Sequence, residues 1–317
     1  MTSDAPPPPR TPKVCVLALE PQLTVEIEPS GPDETTPEVH VHAGGQGLWL
    51  GRMAYSLGAE VVVCGPFGGE AGSVVAHLAR AENLDLRTTT TSANGAYVHD
   101  RMDGTRQEIA VMPPHTLDRH ELDDLYGTVL VSALESEVCI VTGASAQVGV
   151  PSSFFGRLVR DLDASERLVV ADLSGKQAAA AAQAPGAVLK ISHEELVAGG
   201  FAANGDEKEL LRAAREMLSG GPRAIVVSRA EKPTLVVTPD RTLMLKTPRI
   251  TTVDHRGAGD SMTAGIGVGL GRGLDLTDAV RLGAAAGALN VTRRGLGTGR
   301  RDQIERFARR IKVRTLD

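Results

Sequence analysis

Aromatic residues are scarce in this chain. Phe, Tyr and Trp supply only 3% of the 317 residues, with a single tryptophan, which argues against stacking along single-stranded nucleic acid. An excess of positive charge is also missing. The 34 Lys and Arg stand against 39 Asp and Glu, a net charge of −5, so a phosphate backbone is a poor partner. Cysteine occurs at Cys15, Cys64 and Cys139, each within an apolar run. Their odd number and wide spacing exclude a disulfide framework or a zinc pattern and leave buried thiols as the expectation. No apolar run reaches the roughly 20 residues needed to span a bilayer. The opening MTSDAPPPPRTP lacks the apolar core of a signal peptide. Residues 1–12 are therefore expected to be a disordered tail on a cytoplasmic protein.

Several catalytic signatures are missing as well. No GxxxxGK[ST] occurs, Gly143-Ala-Ser-Ala lacks the last glycine of a nucleophile elbow, and His193-Glu-Glu-Leu-Val is not HExxH. The glycines at 265, 267, 269, 271 and 273 alternate without spelling GxGxxG, and read as close helix packing. His40 and His42 have no third ligand nearby in sequence and read as surface residues.

What is present is an ordinary globular balance, 42% hydrophobic and 23% charged. Short apolar runs at 14–19, 61–65, 138–143, 167–173, 187–192 and 223–228 alternate with helical patterns, including 47–57 and 71–81. Near-continuous apolar strands of this kind predict an α/β fold with a mostly parallel sheet covered on both faces. Residues 234–247 read as an antiparallel hairpin at its edge, and the chain from Ala258 to Arg310 as helical. Two polar, β-rich pieces, 22–42 and 86–111, fit poorly in that sheet. They predict a small lid over the carboxyl ends of the parallel strands, with Asp103-Gly104 as a type I′ hairpin turn.

The most informative segment is TTVDHRGAGDSMTAGIGVGL, residues 251–270. A strand-like TTVD meets a glycine turn and then a helix. Gly257, Ala258 and Gly259 can turn their backbone N–H groups toward one point, an anion nest reinforced by the helix dipole. Asp260 then stands where a carboxylate could take a proton from an attacking hydroxyl. An Asp capping a glycine turn is the plainer alternative.

This segment resembles the C-terminal signature of the ribokinase-like sugar kinases, the PfkB family. HAGGQGLWLGRMAYSLGAEVVVCGPFGGEAG (42–72) resembles the N-terminal signature, and VVADLSGKQAAAAAQAPGAVLKISHEELV the 1-phosphofructokinase and tagatose-6-phosphate kinase branch. NVTRRGLGTG (290–299) resembles the closing nucleotide-side segment. The likeness runs from about residue 13 to 312, and one kinase domain over 13–317 is expected. It implies a ribokinase-like fold with a β-sheet lid and transfer of a phosphoryl group from ATP, with Mg²⁺, to a hydroxyl of a sugar or sugar phosphate. Asp260 would be the base, and Gly257, Ala258 and Gly259 the anion hole. Lys190, Glu195 and Ser228 would lie at the nucleotide. Gly44, Gly45 and Arg52 would meet the acceptor. Asp254, with carbonyls near Arg256 and Gly295, would match a monovalent-cation (K⁺) site. A homodimer through lid strands follows by the same analogy.

The departures bear on the acceptor. Thr24 stands where the family has an Asp, Gln46 replaces a Lys, Trp49 replaces an Asn, and Asn94 lies about where this branch carries a phosphate-binding Arg. His255 precedes the nest in place of a small hydroxyl residue. Ser192 replaces an Asn, and 228–233 lacks a glycine-rich turn. A pocket of neutral groups and an indole plane is expected to hold a less charged acceptor than fructose 1-phosphate or tagatose 6-phosphate. A kinase of that branch proper is the alternative, and a weakly active sensor of nucleotide or sugar phosphate the alternative outside catalysis. Intact Asp260 favours an enzyme, whereas Ser192 and the altered turn favour the sensor.

Overall fold

The computed structural model describes residues 10–31, 35–293, 295 and 297–316. Residues 1–9 of the expected tail lie outside these. Arg10 pairs with Glu137, and the Pro12 carbonyl accepts from the Glu60 N–H, so the next residues are bonded to the body.

The chain enters the sheet centre as β1 (Lys13–Leu17), leaves it for β2 (Gln22–Pro29) and β3 (Pro37–Gly44), and passes through α1 (Gln46–Ser56). It returns as β4 (Glu60–Phe67), α2 (Gly69–Ala81) and β5 (Asp85–Thr90). A second excursion gives β6 (Gly95–Asp100) and β7 (Gln107–Met112). After α3 (Arg119–Leu134) come β8 (Val138–Thr142), α4 (Ser152–Ala164), β9 (Leu168–Asp172), α5 (Gly175–Ala181) and β10 (Val188–Ser192). Next are α6 (His193–Ala198), α7 (Glu207–Leu218) and β11 (Ala224–Ser228). The chain closes with β12 (Thr234–Val237), β13 (Thr242–Lys246), α8 (Ala258–Gly271), α9 (Leu276–Asn290), α10 (Arg301–Ala308) and β14 (Lys312–Leu316).

Among the described residues the main sheet runs β14-β13-β12-β11-β10-β9-β8-β1-β4-β5. Pairing is parallel from β11 to β5 and antiparallel through β12, β13 and β14. Because side chains alternate across a strand, β1 sends Cys15 and Leu17 into one core and Val14 and Val16 into the other. The first core is closed by α3 to α7 and the second by α1, α2 and α8 to α10. The three cysteines are fully buried and unoxidised. The alternating glycines pack as expected: a Cβ on Gly265 would lie 2.6 Å from the Gly283 Cα, so α8 and α9 touch backbone to backbone.

The second sheet, ordered β3-β2-β6-β7, stands apart from the first. Its register places Thr24, Glu26, His40, His42, Tyr97 and His99 on one face, and Leu23, Val25, Val39, Val41 and Val98 on the other. Three expectations need correction. Residues 85–90 are not part of this small sheet: β5 pairs in parallel with β4 and extends the main one. β3 runs on to Gly44. Asp103-Gly104 is not a two-residue I′ turn. Only Gly104 has positive φ, and a loop over 101–106 is braced by the Asp103 carboxylate, which accepts from the Thr105 N–H and hydroxyl. The region expected to be helical carries α8, α9 and α10, and beyond it β14 pairs with β13.

Candidate active site

Parallel strands expose their carboxyl ends on one side of a sheet, and the loops leaving β1, β8, β9 and β10 meet there. They enclose a cleft of about 250 Å³ whose polar lining includes Glu20, Gln46, Ser145, Asp172, Gln177 and Glu195. A larger groove of about 600 Å³ lies between α3 and α4. Its wall is braced by the molecule's own contacts: Arg157 lies 4.1 Å over the Tyr126 ring, whose hydroxyl donates to Asp161.

Asp260 sits in the first turn of α8. Gly257 caps that helix with φ 68°, a left-handed conformation that disfavours any Cβ. The carboxyl is half-buried, and its pKa is pushed up to about 7. Burial is the largest cause, with the Asp172 charge adding to it, while Lys190 and a hydrogen bond from Gln46 pull the other way. A group poised near neutrality suits general-base work.

Beneath the turn lies a buried network. The Lys190 ammonium bonds both Asp172 oxygens at 3.0 and 3.1 Å, and the Thr263 hydroxyl donates to Asp172 at 2.7 Å. Burial alone would push Lys190 down, but Asp172, with Glu195 and Asp260 behind it, holds it above the ordinary lysine range. Lys190 is 4% exposed. The ammonium expected at the nucleotide is thus paired with Asp172, and its charge also draws the Asp260 carboxyl down. It also explains Gly259, whose Cβ would lie 2.8 Å from the Lys190 Nζ.

The di-glycine fixes the start of α1. Gly45 adopts φ 100°, and its Cβ would collide with the Glu20 carbonyl at 2.2 Å. A Cβ on Gly44 would meet the Thr24 hydroxyl at 2.4 Å, which places Thr24 against this turn. Gln46 reaches the cleft and Asp260. Trp49 does not reach the cleft lining. It is half-buried in α1, with its carbonyl against Gly297. Arg52 is held by Glu82, at 2.7 and 2.8 Å, and donates to the Ala43 carbonyl. That ties α1 to the end of α2 through the residue expected at the acceptor phosphate. Asn94 is likewise structural: its amide bonds the carbonyls of Pro21 and Pro66, and its oxygen accepts from the Gly68 N–H.

The polar face of the second sheet is joined to the loop before α8. Arg256 makes several bonds to Asp254 and one to Glu26 at 3.3 Å, and Arg101 reaches Glu26, Glu28 and Asp254. Burial would raise the Asp254 carboxyl, but Arg256 holds it below the usual range. This bears on the expected monovalent cation. Two guanidinium groups already neutralise Asp254, and the Arg256 carbonyl accepts from Asn290. Beyond those, Gly295 offers a carbonyl 3.5 Å from the Thr298 hydroxyl. Among the described residues, the expected cation ligands are thus already bonded within the protein. His255, by contrast, is exposed.

On the nucleotide side, Ser228 ends β11 opposite Ser192. Ser192 and Glu195 form a capping box on α6, in which Glu195 Oε2 accepts from the Ser192 N–H. Arg229 pairs with Glu207, and Ala230 takes a positive φ of 49° where a glycine would be unstrained. No three His, Cys, Asp or Glu side chains among the described residues are grouped to hold a metal. Mg²⁺ commonly keeps its waters and uses one or two carboxylates plus substrate phosphates, and Glu195, on the cleft, fits that part.

Five polar cleft residues escaped the sequence reading: Glu20, Ser145, Asp172, Ser174 and Gln177. Asp172 stands in the quoted DLSG string and could have been found there. Gln177 exchanges bonds with the Ala144 backbone, and nothing in the sequence marks it.

The model of the pfkB family carbohydrate kinases matches residues 17–303. An ATP-dependent 6-phosphofructokinase isozyme 2 of Mycobacterium tuberculosis is 28% identical over 307 residues, covering 93% of this chain and 89% of that protein. A 1-phosphofructokinase of Bacillus subtilis is 23% identical over 275 residues, 87% and 89% of the two chains. Among solved structures, phosphofructokinase-2 from Escherichia coli in complex with potassium superposes with a TM-score of 0.80 at 22% identity, over 95% of this chain and 99% of that one.

Proposed function

The chain belongs to the pfkB family of carbohydrate kinases, and from that premise we propose that it transfers the terminal phosphoryl group of ATP to a hydroxyl of a sugar or sugar-like acceptor, with Asp260 as the base. The observation that carries this reading is Asp260 itself, lifted to about 7 at the mouth of a glycine-capped helix. The acceptor oxygen attacks the γ-phosphorus, the bond to the bridging oxygen breaks, ADP leaves, and the hydroxyl proton passes to Asp260. Free N–H groups at the start of α8 face the charge on the transferring group, the preorganised electrostatic contribution that dominates such chemistry. Lys190 and Asp172 set the proton affinity of the base from below. Glu195, on the cleft, would hold a Mg²⁺ bound with the nucleotide, which would supply neutralisation of the phosphate charge.

Relatives named 6-phosphofructokinase favour a phosphorylated ketohexose as the second reading of the acceptor. The small sheet serves as a lid, tied to the catalytic turn through Arg256 and Glu26. Its outer face, where Val39 and Val41 are 61% and 43% exposed, supports a homodimer. Among the described residues no helix is long and apolar enough to cross a membrane.

The test is a steady-state panel of ATP with sugars, fructose 1-phosphate, fructose 6-phosphate, tagatose 6-phosphate and nucleosides. Asp260→Asn is expected to lower kcat on the best acceptor by roughly 10²–10⁴-fold while nucleotide binding stays within a few-fold. An Asn variant that turns over as fast as wild type removes Asp260 from the mechanism. No turnover of any acceptor favours the sensor.

A further inference from the structure

Glu20 follows β1 at the wall of the cleft. The Ser145 N–H donates to its Oε2 at 2.8 Å, and the Ser145 hydroxyl donates to Oε1. Among the described residues Ser145 is its hydrogen-bonding partner, and no Lys, Arg or His forms an ion pair with it. A carboxylate oxygen accepts about two hydrogen bonds, so each Glu20 oxygen keeps one vacant site. Of the other two carboxylates of the cleft, Asp172 is engaged by Lys190 and Thr263, and Glu195 caps α6 and is the residue proposed above for Mg²⁺. The acidic groups are not gathered as a metal site. A fixed carboxylate without a cation, facing a cleft, calls for neutral donors, and two adjacent hydroxyls match two oxygens with one free site each.

Resting on the kinase reading above, we infer that Glu20 is an acceptor-specificity residue that binds a pair of neighbouring hydroxyls of the sugar. Gln46 connects this end of the cleft to the base, since it lines the cleft with Glu20 and lies close enough to Asp260 to draw its carboxyl down. A polyol held by Glu20 therefore points its next hydroxyl toward Asp260. An anionic group on the acceptor is repelled from Glu20 and must lie at the other end, toward the lid, where Arg101 and Arg256 meet Glu26. The carboxylate missing at Thr24 is thus supplied from four residues earlier.

The test compares wild type, Glu20→Gln and Glu20→Asp on fructose, fructose 1-phosphate, fructose 6-phosphate and tagatose 6-phosphate, with thermal melts to verify folding. Hydrogen bonds to a charged group predict that Glu20→Gln raises the acceptor KM by roughly 10- to 100-fold, leaves the ATP KM within twofold, and lowers kcat far less. Glu20→Asp should recover part of the loss. A 2-deoxy or otherwise hydroxyl-deleted analogue should lose less on Glu20→Gln than on wild type. A folded Glu20→Gln enzyme with unchanged acceptor KM, or one whose loss falls on the ATP KM, overturns the role of Glu20 alone. A wild type that phosphorylates none of the panel overturns the kinase reading and the role of Glu20 with it.

Discussion

Asp260 concentrates the electrostatics of the site in one carboxyl group. Its pKa stands near 7 instead of the ordinary 3.8 because burial and Asp172 outweigh Lys190 and Gln46. The folded protein therefore holds this proton through a window in which an unfolded chain has already lost it. Between about pH 4 and 7 the contribution of this group to stability falls as pH rises, and above 7 it is level. Asp260→Asn abolishes the titration, so its melting temperature relative to wild type should rise from pH 5 to pH 8. A difference that stays constant across that range would contradict the raised pKa. In kinetics the same proton should appear as an acidic limb in kcat/KM of wild type with an apparent pKa near 7.

At the scale of elements, the start of α8 is a joint between a turn and a buried ion pair. Gly257 supplies the left-handed residue, and Gly259 leaves room for the Lys190 ammonium. Gly259→Val would drive Lys190 off Asp172 and leave a buried carboxylate without its cation. Breaking such a pair costs up to about 3–5 kcal/mol. The expected result is loss of activity with a lowered urea midpoint, and Gly257→Val should also inactivate through backbone strain. An active, fully stable Gly259→Val protein would show that the turn tolerates a displaced lysine. The lid has a comparable joint: Glu26 on β2 and Asp254 before α8 share Arg101 and Arg256. The strands are thereby tied to the catalytic turn across more than two hundred residues of sequence.

For the whole molecule, two cores on either side of one sheet account for the burial, and the second sheet has an apolar face left over. Leu23 and Ala43, at its root, join the main core, whereas Val39, Val41 and Met112 stay exposed. Apolar surface of this kind is commonly covered by a partner. A second copy of the chain is the proposed occupant. Sedimentation should give a dimer for wild type and a monomer for Val41→Glu, with the thermal melt of the subunit little changed. A monomeric wild type at micromolar concentration would leave the face uncovered and the dimer unsupported.

Strand and helix periodicity, local by nature, determined most of the fold. The six buried runs became six of the seven parallel strands, all but β5, and 234–247 became β12 and β13. Glycine spacing likewise marked the turn before α8. Strand partnership was not local: β5 has the polar composition of a lid strand, yet its backbone pairs with β4, and β14 is identified only by the edge it completes. In the site, the chemistry-bearing types near GAGD could be read directly, because a turn and a helix start are contiguous in sequence. Partners across the cleft could not. Arg52 and Asn94 look like ligand contacts until Glu82, Pro21, Pro66 and Gly68 are brought beside them. Lys190 looks exposed to ligand until Asp172 covers it. Glu20 has no motif of its own. Its vacant hydrogen-bonding sites and its neighbour Ser145, 125 residues away, exist only where the carboxyl ends of β1 and β8 converge, because a side chain's free valences depend on which groups tertiary packing sets against it.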